Sequence, residues 1–395
     1  MQRKKLNAFY KIALALLVII VVCLISLVVY KITIKDKTTD KEMKEESSEK
    51  IEEDKKEEKE EIKEPVEKRM SIVMVGDALI HGAIYMDAYK GNNKYDFTSM
   101  FTDIEPIIKN YDLRYYNQES IIGGKKIGVS HYPRLNSPEE IGENLVSIGF
   151  NLVSLANNHS FDKGETGLQN SLAFWKSQKD VKTAGSYSSF EEQSNIPVYE
   201  QNGIKYAFLA YTMCTNGLSA PKGKEYYVNV YDETQVKNDV TNARNNGAEV
   251  VIVSMHWGNE YTHVPTNIQK ETAAYLSNLG VNLIIGSHPH VIQPMEYIND
   301  TLVIYSLGNF ISAQRVLGQE KVIGLLVGTD IVVKDNKVTF DKTNFELLYT
   351  YYTSANTKFK VIPFSNLNNN ILKNYESINL KYRKIVDSEG IFNGN

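Results

Sequence analysis

Cysteine is nearly missing from this chain. There are two in 395 residues, Cys23 and Cys214, and the first lies inside an apolar run. The remainder holds a single thiol, which excludes an internal disulfide there. Such a count is compatible with export and with retention in the cytoplasm alike. An excess of positive charge is also lacking, since 44 Lys and Arg face 48 Asp and Glu for a formal net charge of -4. That balance gives no electrostatic case for a nucleic-acid partner. No internal repeat is visible. Histidine is scarce, at seven copies, which makes its placement informative.

The average charge conceals a segregated N-terminus. Residues 12–30 form an apolar run without charge, preceded by Arg3, Lys4, Lys5 and Lys11. The run is long enough to cross a hydrocarbon core of ~30 Å. Residues 1–11 read as a basic cytoplasmic flank and 12–30 as a transmembrane anchor. A cleaved signal peptide would need small residues before the cut, where Val28, Val29 and Tyr30 stand. A lipidated Cys23 would have Val21 and Val22 as poor neighbours. Lys31, Lys35 and Lys37 make the far flank basic too, so the orientation rests on export of the C-terminal domain. The expected localisation is the cell membrane, single-pass, with that domain extracytoplasmic. Residues 31–69 are almost wholly charged or polar and cannot bury a core, so they read as a disordered spacer.

A folded domain is expected from residue 70 to 312. Buried strands end at Val75, Asn117, Ala156, Met255 and Ile285, alternating with helical stretches such as 138–148, which Ser137 would cap. Asn202-Gly203 and Asn299-Asp300 mark hairpins. The pattern predicts an α/β fold with a mixed sheet. Residues 313–395 read as strands and a helix completing the domain, with Asp335-Asn336 as another hairpin turn.

Five of the seven histidines, His81, His159, His256, His288 and His290, come just after strand-like runs. Ligands in open α/β sheets collect at the carboxyl ends of strands. Imidazoles and carboxylates converging there suit a divalent or transition metal. Asp77 follows the first strand, and His81 shares its face if that turn is helical. Glu119 closes a polar triplet with Asn117 and Gln118, and a surface glutamate is the competing reading. Asn158 offers an amide oxygen, His159 a general acid, and Asp162 a group to orient that imidazole. His256 ends an apolar strand, with Glu260 as a nearby substrate or outer contact. His288 and His290 alternate, so on an extended segment both face one pocket.

Gly76-Asp77, Asn117–Glu119, NNHSFDKG (157–164), HWGNEY (256–261), GSHPHVIQPME (286–296) and SLGNF (306–310) together resemble the CapA/PgsA family. That family comprises membrane-anchored proteins of poly-γ-glutamate capsule biosynthesis. The resemblance spans about residues 71–311. The family in turn resembles calcineurin-like metallophosphoesterases, which implies a four-layer α/β/β/α domain. It implies metal ligation by Asp77, Glu119, Asn158, His256, His288 and His290, with His159 protonating the leaving group. His81, Asn117, Glu260 and Asn309 would support the site or touch substrate. The implied cofactor is a divalent metal ion, Mn, Fe, Zn or Mg. Leu79 stands where the phosphoesterase pattern has a histidine, and Glu119 where it has a bridging aspartate. A single or altered metal site is therefore as reasonable as a binuclear one. The implied partners are the membrane, poly-γ-glutamate synthase subunits and the anionic polymer. A metal-dependent hydrolase or transferase, a non-catalytic polymer- or synthase-binding scaffold, and a free-standing exported metallophosphatase all remain open.

Overall fold

The computed structural model describes residues 25–26 and 67–394. The chain divides into two units, 1–62 and 63–395, and the fold lies in the second. The expected flank, anchor and spacer therefore lie outside the described residues, apart from 25–26 and 67–69. Among the described residues no helix is long and apolar enough to cross a membrane.

The first half of the fold runs β1 (Lys68–Ala78), β2 (Leu113–Asn117), α1 (Glu139–Ser147), β3 (Leu152–Ser154), α2 (Gly164–Ser177) and β4 (Lys182–Ala184). It continues with β5 (Tyr199–Gln201), β6 (Ile204–Thr212), α3 (Glu233–Asn245), β7 (Val250–His256), α4 (Asn267–Asn278) and β8 (Leu283–Ser287). Then come β9 (Met295–Ile298), β10 (Thr301–Ile304), β11 (Asn309–Ile311), β12 (Ile323–Lys334), β13 (Lys337–Tyr351), β14 (Lys360–Pro363) and α5 (Tyr375–Val386). The result is a mixed α/β fold on two sheets.

The first sheet has the order β14-β13-β12-β1-β2-β3-β4, with β11 beside the end of β1. β1 pairs parallel with β2 and antiparallel with β12, so the C-terminal strands complete this sheet. The second sheet has the order β5-β6-β7-β8-β10-β9. Its inner strands are parallel, and two hairpins supply antiparallel edges. Asn202 and Gly203 both take positive φ, as do Asp335 and Asn336, which matches the twist of the strands they join.

Side-chain alternation in the second sheet shows where the core lies. Ile204, Tyr206, Phe208 and Ala210 join a core shared with β1, β2 and β12. Ala207, Leu209 and Tyr211 join a separate core with Val236, Val240 and Ala243 of α3 and Ala273 and Leu276 of α4. Strands buried on both faces read as continuous apolar runs, which is why VVIV and LII stand out in the sequence. The sheets are also tied by a buried hydrogen bond of 2.7 Å between the Tyr115 and Ser254 hydroxyls.

Three local readings are corrected. β1 begins at Lys68, inside the range read as spacer. Its basic residues find carboxylates there: Lys68 pairs with Glu249, and Arg69 with Asp330 at 3.1 Å and Asp341 at 2.7 Å. Ser137 does not cap α1; Pro138 holds the cap position without a side-chain bond. Instead the Ser137 N–H donates to the Ile121 carbonyl at 2.9 Å. The strand after Ser71 does not stop at Val75, because β1 runs on through Ala78 with a shift in register before Asp77.

Candidate metal centre

The carboxyl ends of β1, β2 and β3 in one sheet, and of β7 and β8 in the other, meet at one place. Asp77 is the penultimate residue of β1, Glu119 lies two residues past β2, and Asn158 four past β3. His256 ends β7 and His288 comes directly after β8. Two glycines allow the backbones to come this close. A Cβ on Gly76 would lie 1.8 Å from the Gly308 carbonyl oxygen, and one on Gly286 would lie 2.0 Å from that of Tyr305.

Glu119 is fully buried, and among the described residues neither of its carboxylate oxygens has a hydrogen-bond partner. Its Oε1 lies 3.7 Å from Nε2 of His256 and 3.7 Å from Nε2 of His290. His256 Nε2 is also 3.0 Å from Asn158 Oδ1 and 3.1 Å from His288 Nδ1. Ligand atoms of Glu119, His288 and His290 all lie within 4.8 Å of one another. An ionised carboxylate is costly to bury without a partner. Here burial, with Asp77 and other acids nearby, pushes the Glu119 carboxyl well above its usual range. Burial first, then neighbouring imidazoles, holds His256 and His290 well below theirs. Their neutral form is the one that ligates metal. An orphan carboxylate facing neutral imidazoles is a donor set that a divalent cation fits.

Asp77 is more fully engaged. Asn117 Nδ2 donates to its Oδ1 at 2.7 Å, and the His288 N–H donates to its Oδ2 at 3.2 Å. Burial pushes its carboxyl up to about 7 despite those bonds and one from Ser287. His290 Nδ1 lies 3.7 Å from Asp77 Oδ2 and 3.1 Å from Asn309 Oδ1. Asn309 is in turn fixed by donating to the carbonyls of His290 and Lys321 at 3.3 and 2.8 Å.

His159 has a carboxylate partner of its own. Its Nδ1 is 2.7 Å from Asp162 Oδ2, which also accepts from the Leu135 N–H at 2.7 Å. The Asp162 contact leaves His159 Nε2 as the nitrogen able to carry a proton toward a ligand.

Some expectations are revised. The His288–His290 segment is not extended, for His288 has φ +96 and His290 φ +57. A non-glycine residue in this region is uncommon, and strain of this kind gathers at functional sites. The two imidazoles converge, with ring centroids 6.0 Å apart, through these turns rather than through strand alternation. His81 shares no helical turn with Asp77, because Asp77 belongs to β1 and His81 precedes a helix beginning at Gly82. Its Nδ1 instead lies 3.0 Å from the Leu79 carbonyl and 3.3 Å from the Ala313 nitrogen. Burial lowers it to about 4. Glu260 is exposed and bonded to the Tyr261 hydroxyl.

Two participants escape sequence reasoning. Ser287 lies 2.9 Å from His256 Nδ1, and Asn216 Oδ1 accepts from Asn158 Nδ2 at 3.3 Å. The position of Ser287 inside GSHPH was its only signal. Asn216 had none, being 58 residues from its partner.

A family model described as bacterial capsule synthesis protein PGA_cap matches residues 71–314. The chain is 31% identical over 243 residues to "PGA biosynthesis protein CapA" of Bacillus subtilis (strain 168), covering 59% of this chain and 62% of that protein. It is 27% identical over 258 residues to "Capsule biosynthesis protein CapA" of Bacillus anthracis, covering 62% of this chain and 61% of that protein. The matched region thus spans less than two thirds of either relative. Among solved structures, the calcineurin-like phosphoesterase YfkN from Bacillus subtilis is similar at TM-score 0.43 and 14% identity, covering 80% of this chain and 99% of that one. A hypothetical protein from Thermus thermophilus is similar at TM-score 0.46 and 15% identity, covering 70% and 98%.

Proposed function

The chain belongs to the bacterial capsule synthesis protein PGA_cap family, and on that premise we propose that it is a membrane-anchored, extracytoplasmic component of poly-γ-glutamate synthesis or export. In this reading its domain, a four-layer α/β/β/α assembly, is a metal-dependent hydrolase or transferase acting on the polymer or its precursor. The observation that carries the catalytic part is Glu119, whose buried carboxylate has no hydrogen-bond partner among the described residues and faces His256, His288 and His290.

Glu119, His288 and His290 would hold the cation, with Asp77, Asn158 and His256 beside them. A bound divalent cation supplies Lewis acidity and lowers the pKa of water. Asp162 accepts from His159 Nδ1–H and fixes the ring, so that Nε2 delivers a proton to the leaving group. Asn309 fixes the ring of His290 in the same way. Both oxygens of Asp77 are already bonded within the protein, and Leu79 offers no imidazole. These two facts favour one cation over a pair.

The test is metal content of the detergent-purified full-length protein, combined with a screen of phosphoester and γ-glutamyl substrates. Bound metal with turnover is expected. Neither metal nor turnover would move the reading to a scaffold that binds polymer or synthase.

A further inference from the structure

We propose that a second cavity, separate from the metal centre, binds a linear chain bearing carboxylates. It lies where the edges of the two sheets meet, for β4 ends the first sheet and β5 the second. Thr183 of β4, Tyr199 of β5 and the last turns of α2 line it. Its volume is about 570 Å³, in the range of small-molecule sites. None of the residues assigned to the metal centre lines it.

Two features define what it takes, beside Trp175, which lines the cavity at 3% exposure. Lys176 and Lys179 also line the cavity, and among the described residues neither has a carboxylate partner. The one lining acid, Glu192, turns its carboxylate to the N–H and hydroxyl of Ser188. Finally, Tyr187 and Tyr199 give apolar walls. Ammonium groups for carboxylates and ring faces for methylenes together match a glutamyl-type chain. The choice of a γ-linked chain rests on the proposed function; the carboxylate chemistry does not.

The chain has only two tryptophans, so emission reads this cavity directly. Trp257 is fully buried in the other core and donates to the Tyr305 carbonyl at 2.9 Å. Detergent-purified full-length protein is titrated with a γ-linked glutamate oligomer of about ten residues, by tryptophan fluorescence and by calorimetry. The expected result is a saturable change in emission that is absent in Trp175→Phe, where Trp257 still reports the fold. The Lys176→Gln/Lys179→Gln double variant should bind about tenfold more weakly, the sum of two modest surface charge interactions. His288→Ala should keep the saturable change in Trp175 emission, which separates this site from the metal centre. Loss of metal or turnover in the intact protein therefore leaves this proposal standing. It is overturned by no saturable binding in either measurement, by undiminished binding in the double lysine variant, or by a glycerol-phosphate oligomer binding in place of the glutamate chain.

Discussion

Glu119 Oε1 lies 3.7 Å from His290 Nε2, and no described residue offers that carboxylate a hydrogen bond. Most buried polar groups in native proteins are satisfied, so such an exception calls for an explanation. In the proposed reading, a cation held by the carboxylate and the imidazoles would supply one. The arrangement would then trade stability of the metal-free protein for affinity, and this trade can be measured.

Glu119→Gln should raise the melting temperature of the metal-free protein increasingly as pH rises, because burial opposes ionisation of the Glu119 carboxyl and glutamine never ionises. The same variant should lose metal. His288→Ala and His290→Ala should each weaken metal binding by at least ~10–100-fold while the domain stays folded. Metal content by mass spectrometry and melting curves with and without chelator decide this. Full metal occupancy in all three variants would refute the ligand assignment.

His159→Gln keeps size and polarity but cannot deliver a proton at neutral pH. It should lower turnover, or polymer output in cells, by ~10²–10⁴-fold with metal content unchanged. Asp162→Asn should act in the same direction, since it spoils the acceptor for His159 Nδ1–H. Normal polymer output from His159→Gln at verified expression would count against catalysis.

Asp239 of α3 provides a pH test away from the site. Its Oδ2 accepts from the Tyr211 hydroxyl at 2.7 Å, and burial raises its carboxyl from the ordinary 3.8 to about 6. The folded state therefore holds this proton more tightly than the unfolded chain. Stability from this group is fully present below pH ~4 and is lost as pH rises through about 6. Asp239→Asn can still accept from Tyr211 but does not titrate. Its melting temperature should gain on the parent's steadily between pH 4 and 7. A difference that stays constant across that range would rule out the assignment.

The N-terminus yields a topological prediction. Protease added to intact cells should cut the charged stretch 31–67 and release the domain. A domain protected until the membrane is lysed would contradict an extracytoplasmic orientation.

Much of the scaffold was legible from the sequence because local rules set it. Strands buried on both faces must be continuous apolar runs, and Asn202-Gly203 and Asp335-Asn336 accept the positive φ that tight hairpins need. β4 and β11 were not legible, being three residues each and held by neighbours rather than by any periodicity. The chemistry-bearing residues were visible one segment at a time, as polar groups at the ends of apolar strands. Their meeting was decided by tertiary structure alone. Asp77 and His288 are 211 positions apart and touch because two sheets present their carboxyl ends to one another. The turn at His288 and His290 was likewise hidden, since no local preference drives both into positive φ. In the fold the turn brings the His288 N–H to the Asp77 carboxylate, a partner the local sequence does not contain. Sequence thus determined which side chains were available, and the fold determined that Glu119 has imidazoles for neighbours and nothing else to bond.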